Sequence, residues 1–554
     1  MIIRPSVIAL TLMPMLYVYT PVILATIDNE QAKGFSVAEE KACDKTTYAT
    51  GKDFKQKYTT AFERYRKAAE QGNATAQFNL GVFYQNGCGI KQDYEKAVAW
   101  YRKAAEQGKT EAQSNLGFMY SDGHGVKQDF AQANTWYRKA ADQGYAVAQY
   151  NLGVNYATGE GFKQNYTRAF EWYQKAAEQG MDAAQYQLGL MYQNGFGVVQ
   201  NFAQANAWYR KAADQGYAVA QYSLGNNYAT GEDFKQNYTR AFKWSRKAAE
   251  QGYAKAQFNL GLFYQNGYGI EQDYKQAAAW FNKAAEQGYA KAQFNLGAWY
   301  DQGHVIKQDY IQAVTWYRKS AEQGYPSAQI NLATMYLDGK GVTQDYAQSI
   351  AWYQKAAEQG IDVAQYQLGL MYHNGFGVVQ NFVQANVWYR KAADQGYAEA
   401  QFQLGWMYHN GEGVKEDDAQ AAAWFHKVAE QGDATAQFNF GLFYQKGYGI
   451  EQDYKQAVAW YRKAANQGAA NAQAKLGRLF DKGLMGVEQD HVQAFSWYRK
   501  AANQGYAPAQ NNLGVMYAKG EGVKQDSKQA ITWFHKAADQ GYRPASKALA
   551  ILKK

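Results

Sequence analysis

Two cysteines, Cys43 and Cys88, are too few to build a disulfide scaffold for 554 residues. No His-Glu-x-x-His, Gly-x-Ser-x-Gly or phosphate-loop motif occurs. The Gly-x-Gly elements lack the third glycine and the preceding strand that a nucleotide site needs, so they read as turns. There is no block of one charge either: the formal net charge of +9 is spread as Arg-Lys pairs offset by neighbouring Glu and Asp. That pattern describes a solvated mixed-charge surface rather than a nucleic-acid footprint. Catalysis requires a few unlike groups converging at one point, whereas this chain distributes like groups evenly. No catalytic residue, cofactor site or metal site is expected, and the protein is read as a non-enzyme. Of the seven histidines, His373 and His409 stand at the same place in successive units. That puts them on the order of 20 Å apart, whereas zinc ligands lie about 2 Å from their metal, so both read as surface residues.

The chain does have a rhythm. Trp100, Trp136, Trp172 and so on to Trp460 fall 36 residues apart, and Trp497 and Trp533 follow after a one-residue insertion near Leu484-Met485. Of the fifteen tryptophans only Trp299 and Trp406 stand outside the series. A self-similar period of this length marks a solenoid, in which each unit buries its apolar face against its neighbours. Thirteen full units occupy residues 73–541. Residues 26–72 are a linker and an N-terminal half-repeat, since Tyr48 to Phe62 closely matches Tyr228 to Phe242. Residues 542–554, with Pro544, Ala548, Leu549, Ile551 and Leu552, read as a shortened capping helix.

Residues 1–25 differ from everything after them. After Arg4 no charge occurs from Pro5 to Ile27, and the stretch is rich in Leu, Ile, Val and Met. It reads as a signal peptide cut after Ala25; the competing reading is an uncleaved inner-membrane anchor over residues 5–27, although Pro14 and Pro21 disfavour a continuous helix. Either way the repeats are expected outside the cytoplasm, in the periplasm or secreted. In that oxidising setting Cys43 and Cys88 are candidates for a disulfide, two free thiols being the other reading.

Each unit holds two helical segments. In residues 73–108, Ala76, Leu80, Gly81 and Tyr84 share one face of the first. Gly81 recurs in twelve of thirteen units, with Ala333 the exception. A helix-interior glycine costs about 1 kcal/mol relative to alanine, so close helix approach is the expected compensation. Gly87 ends the helix. The second helix opens at Asp93, whose thirteen equivalents are all Asp or Asn, the residues that best satisfy free amides at a helix start. Along it Ala97, Trp100 or Tyr101, and Ala104 form the inward stripe, with the tryptophan read as an internal spacer. A longer regularity overlies the first: residues 181–216 and 361–396 agree at 31 of 36 positions, which indicates duplicated five-repeat blocks.

The units Ala-x-Ala-Gln-x-x-Leu-Gly-x-x-Tyr-x-x-Gly-x-Gly and Gln-Asp-Tyr-x-x-Ala-x-x-Trp-Tyr-x-Lys-Ala-Ala-Glu-Gln-Gly resemble Sel1-like repeats, a branch of the tetratricopeptide superfamily. The resemblance implies an all-α fold, an α/α solenoid forming a right-handed superhelix of helix-turn-helix repeats. It also implies a scaffold for protein-protein interaction. Exported members include envelope-associated assembly and signalling proteins and secreted factors that bind host proteins. A subgroup linked to β-lactams carries paired cysteines in each repeat, which this chain lacks, so that activity is not carried over.

By the same resemblance, the exposed face of the first helix lines the concave side of the solenoid. Positions equivalent to 78 supply a ladder of rings, among them Phe78, Tyr150, Tyr186, Tyr222, Phe258, Phe294, Tyr366, Phe402 and Phe438. Beside it runs a polar file that includes Gln193, Gln265, His373 and His409. Rings with interleaved amides suit an extended peptide or glycan strand, because rings offer apolar area at low entropic cost and amides pair with a backbone. The alternative is that the rings pack between helices as core. The expected partner is a protein or peptide, with host protein and peptidoglycan as candidates. The rival function is cell-wall binding or modification. No nucleic-acid partner is expected, and membrane contact only through an uncleaved N-terminal segment.

Overall fold

The computed structural model describes residues 52–87, 90–231, 236–303 and 305–552. The segment expected to be a signal peptide, together with Cys43 and Cys88, lies outside the described residues. Among those residues the fold is all-α, with 28 helices and no strand. None of these helices is long and apolar enough to cross a membrane. Two compact units divide the chain, one ending at Ala292 and the other beginning at Gln293, so the boundary falls within the helix Ala290–Gln302.

Each unit is a solenoid of helix pairs, as the repeat predicts. In the unit ending at Ala292, the helix Lys52–Glu70 precedes pairs such as Ala74–Asn86 with Tyr94–Glu106. In the other, pairs such as Pro326–Asp338 with Tyr346–Glu358 continue to a final helix, Arg543–Leu552, whose Ala545 and Leu549 pack on Phe534 and Ala537. Each second helix starts on its Asp or Asn: Asp93 accepts from the Lys96 amide at 3.0 Å, and Asn237 from Arg240 at 2.9 Å. First helices end on a left-handed glycine, Gly87 at φ 71°, whose amide bonds the Phe83 carbonyl. No L side chain with a Cβ adopts that conformation without cost.

The ring that spaces the helices is that of the residue after the periodic tryptophan, Tyr in nine repeats and Phe in three, with Ser245 the exception, and here the structure departs from the expected spacer. Tyr101, Tyr209, Tyr389 and Tyr461 are fully buried. They press on the glycines of the first helices so closely that a Cβ on Gly81 would stand 2.6 Å from the Tyr101 ring. Glycine is therefore required there, and its helix cost is offset by the ring packing. The exception at Ala333 faces Tyr353, whose hydroxyl bonds Thr334 at 2.8 Å.

The tryptophans sit one step around the helix, on its flank. Nine of the thirteen are half-buried, and only Trp172, Trp352, Trp424 and Trp460 are buried. Each is covered by the lysine three residues on, from 3.5 Å at Lys463 over Trp460 to 4.3 Å at Lys247 over Trp244. One helical turn places these residues side by side, so the cation meets the ring face.

A second tie joins repeats. The buried Gln77 donates to the Ala69 carbonyl of the preceding helix at 3.1 Å and accepts from Gln107 at 2.7 Å. The same relay runs through Gln257, to Ala249 at 3.2 Å and from Gln287 at 2.7 Å. The Ala69 and Ala249 carbonyls, which already accept from the Gly72 and Gly252 amides at 3.0 Å, thus gain a second donor from the next repeat.

Candidate functional face along the first helices

The first helices carry the variable face, and their periodicity decides what each column can offer. In the column of Phe78 most rings are packed rather than displayed. Phe78, Tyr150 and Tyr366 are buried, as are Tyr186 and Phe258, whereas Tyr222, Phe294, Phe402 and Phe438 are half-buried. Tyr186 lies 5.5 Å from the Tyr209 ring and 5.6 Å from Tyr217; Phe258 lies 5.5 Å from Phe281 and 5.3 Å from Tyr289. The hydroxyls of the tyrosines reach the next repeat, Tyr150 to Gln187 and Tyr366 to Gln403. Burial pushes both hydroxyls up, each to about 12, and raises Tyr186 and Tyr222 as well. A ring so placed presents an edge at most.

The neighbouring polar column is half-buried and serves the tyrosine spacers. Gln193 accepts the Tyr209 hydroxyl proton at 2.5 Å, as Gln445 does that of Tyr461 at 2.7 Å. Gln265 faces Phe281, which has no hydroxyl, and its Oε1 is buried without a hydrogen-bond partner. His373 meets Phe382 edge-on at 5.0 Å and lies 6.3 Å from Tyr389, and neither its Nδ1 nor the Tyr389 hydroxyl is hydrogen-bonded. His409 Nδ1 lies 2.6 Å from Asp418 Oδ1. The column of Asn86 opens to solvent in part: Asn194, Thr230, Asn374 and Asn410 are exposed, whereas Asn86, Thr158, Asn266 and Gln302 are half-buried.

Asp418 drew no reading from the sequence, and His491 was expected, like the other histidines, to be a surface residue. Both head a second helix, where ten of the other eleven units place Tyr or Phe and one places Ser527. Asp418 meets His409, and His491 meets Asp481 at 3.3 Å, so the same two columns hold an acid and an imidazole in opposite order. Reading each column down the repeats exposes both substitutions; reading along the chain does not, because the partners are nine or ten residues apart and fit no motif.

The surface hollows are shallow and unlike catalytic clefts. One is lined by Phe242, Lys243, Arg246 and Ile270, another by Arg102, Glu106, Tyr120 and Asp129. Much of the cationic charge is already engaged: Arg102 donates to the Tyr120 hydroxyl at 2.7 Å and Arg318 to that of Tyr336 at 2.7 Å, while lysines cover the tryptophans.

Tandem helix pairs, a packed ladder of rings and a polar column partly open to solvent define a helical repeat scaffold. The chain belongs to the Sel1 repeat family, whose model matches fourteen consecutive segments from 41–73 and 74–109 to 507–542. The first of these covers the stretch read above as the half-repeat. Among solved structures the chain is similar to c5321, described as a protective antigen present in uropathogenic Escherichia coli strains displaying an SLR fold. Identity there is 39%, over 81% of this chain and 97% of that one, with a TM-score of 0.62. It is also similar to a Sel1 repeat protein from Oxalobacter formigenes, at 36% identity over 56% of this chain and 89% of that one, with a TM-score of 0.49. No curated protein matches the chain.

Proposed function

We propose that this Sel1 repeat protein is an exported, non-catalytic scaffold that binds a protein or peptide partner along its first helices. The observation that carries this reading is the set of polar side chains open to solvent in one column, Asn194, Asn374 and Asn410 among them, beside packed rings. Amides at a helical repeat can pair with an extended main chain, and the adjoining ring edges add apolar area. Export is supported by the uncharged stretch after Arg4. It is also supported by the 39% identity to a protein described as a protective antigen.

The test uses the full chain carrying a C-terminal tag, with cell fractionation, N-terminal sequencing and cross-linking. Recovery outside the cytoplasm, shortened by the first 25 or so residues, with a protein cross-linked to the first helices, is the expected result. Recovery in the cytoplasm with Met1 in place would refute export. Soluble muropeptides released from added peptidoglycan would refute the non-catalytic reading. Replacing Asn194, Asn374 and Asn410 together by Glu should weaken capture of the cross-linked partner by about tenfold or more without moving the melting transition.

A further inference from the structure

Near the C-terminal end, Asp481 stands in the column of Gln85, His491 in the ring column that opens the second helices, and Glu521 in a loop column that holds Phe196, Tyr268, Phe376 and Tyr448 in other repeats. The fold brings the second and third columns together throughout: Tyr94 packs on His124 at 4.6 Å, Tyr166 on Phe196 at 4.9 Å, and Tyr238 on Tyr268 at 4.6 Å. His491 and Glu521 occupy those stacked places in the last two repeats, and Asp481 lies beneath them. One ligand atom from each lies within 4.8 Å of the others. Asp481 is 8% exposed. Asp481 Oδ1 and His491 Nδ1 are buried without a hydrogen-bond partner, 3.3 Å apart. Burying such atoms unpaired is costly, and an ion between them removes that cost.

From these residues we infer a divalent-metal site formed by Asp481, His491 and Glu521, which would join the last two repeats. Ligands about 2 Å from a shared ion lie roughly 3 to 4 Å from one another, a spacing that small side-chain rotations reach from here. One imidazole and two carboxylates suit a first-row divalent cation such as zinc or manganese, with waters completing the shell. Lys482 lies 3.0 Å from Asp481 Oδ2 and Lys519 lies 3.4 Å from Glu521 Oε1. Each lysine thus takes one oxygen of its carboxylate and leaves the other for the ion, and each is more than half exposed and free to turn away. The backbone beneath is fixed, because Gln489 donates to the Asp481 carbonyl at 2.8 Å and the Asp490 amide bonds Phe480 at 2.9 Å. The lengthened loop between them, where Met485 has φ 57°, occurs only in this repeat.

The test is zinc titration calorimetry on the chelator-stripped full chain, with metal analysis after desalting and thermal melts with and without zinc; manganese and calcium form separate arms. One zinc per chain with a Kd of about 1 μM or tighter is expected, together with a zinc-dependent rise in the melting temperature. Glu521→Gln and His491→Gln should each weaken binding at least about tenfold and abolish that rise, and Asp481→Asn should do the same. His409→Gln, which breaks the other imidazole–carboxylate pair, should leave binding unchanged. Absence of zinc binding, equal binding by the Glu521→Gln chain, or a preference for calcium over zinc would each overturn the site. Should Asp481→Asn fail to fold, Glu521→Gln decides the matter, since its side chain is only half-buried.

Discussion

At the scale of single residues, two adjacent aromatic side chains do different work. Tyr209 has no exposed surface, and a Cβ on Gly189 would come within van der Waals overlap of its ring; Trp208 is half-buried, with the Lys211 ammonium 3.7 Å above it. Truncating Tyr209 to Ala empties a packed site and leaves Gln193 without its donor. About 3 to 5 kcal/mol of local stability should be lost. Truncating Trp208 to Ala removes partly solvated area and an exposed cation contact, so the loss should be less than about half as large. Urea denaturation of the two variants, followed by circular dichroism, measures the difference, and equal midpoints would contradict it. The tryptophan was the conspicuous residue in the sequence because it is rare and regular. Neighbours on a helix point about 100° apart, so periodicity locates the stripe without saying which of two adjacent rings lies at its centre.

Between elements, the glutamine relay supplies the most regular polar contact. Gln257 is buried, donates to Ala249 and accepts from Gln287, so replacing it with Leu removes one of two donors to the Ala249 carbonyl and leaves the Gln287 side-chain amide without that acceptor where two helices meet. The expected cost is about 1 to 3 kcal/mol. Hydrogen exchange should quicken in Tyr238–Glu250 and Ala254–Asn266 while Tyr94–Glu106 keeps its protection. Uniform acceleration across all helices would show that the contact acts globally. Helix boundaries, caps and the need for Gly81 were legible from the Asp or Asn starts and glycine stops. The relay was not, although Ala-x-Ala-Gln stood in the motif, because its acceptor lies eight residues before it and its donor thirty after. The candidate face was legible only in part, for the same reason: column 78 was identified as aromatic, but its depth depends on Tyr209, Tyr217 and their equivalents in neighbouring elements.

For the whole molecule, the buried phenols set a limit in alkali. An ordinary tyrosine ionises near pH 10, whereas burial lifts Tyr150 and Tyr366 to about 12. The raised folded value means that their contribution is fully present below pH 10. Between pH 10 and 12 the unfolded chain releases its protons first, and that contribution is lost. Tyr150 alone accounts for on the order of 3 kcal/mol across that window. Tyrosinate absorbance and loss of ellipticity should therefore rise together in steep transitions above pH 10; gradual ionisation with intact helicity would contradict the packing. The period of 36 residues made this architecture readable. The Asp481, His491 and Glu521 grouping escaped notice because it depends on departures from that period.

The relay through Gln77 and its equivalents also has a mechanical side. Within each unit it recurs at nearly equal intervals and ties helix pairs to those before them, and among the described residues the extensive helix contacts are between consecutive helices. Under tension such a chain has no single keystone: it would give way link by link, each step paying out the 36 residues of one repeat, up to about 120 Å of extended backbone. Force on either unit would then be dissipated in many small slips, and the outermost repeats of that unit would yield while those behind them stay folded.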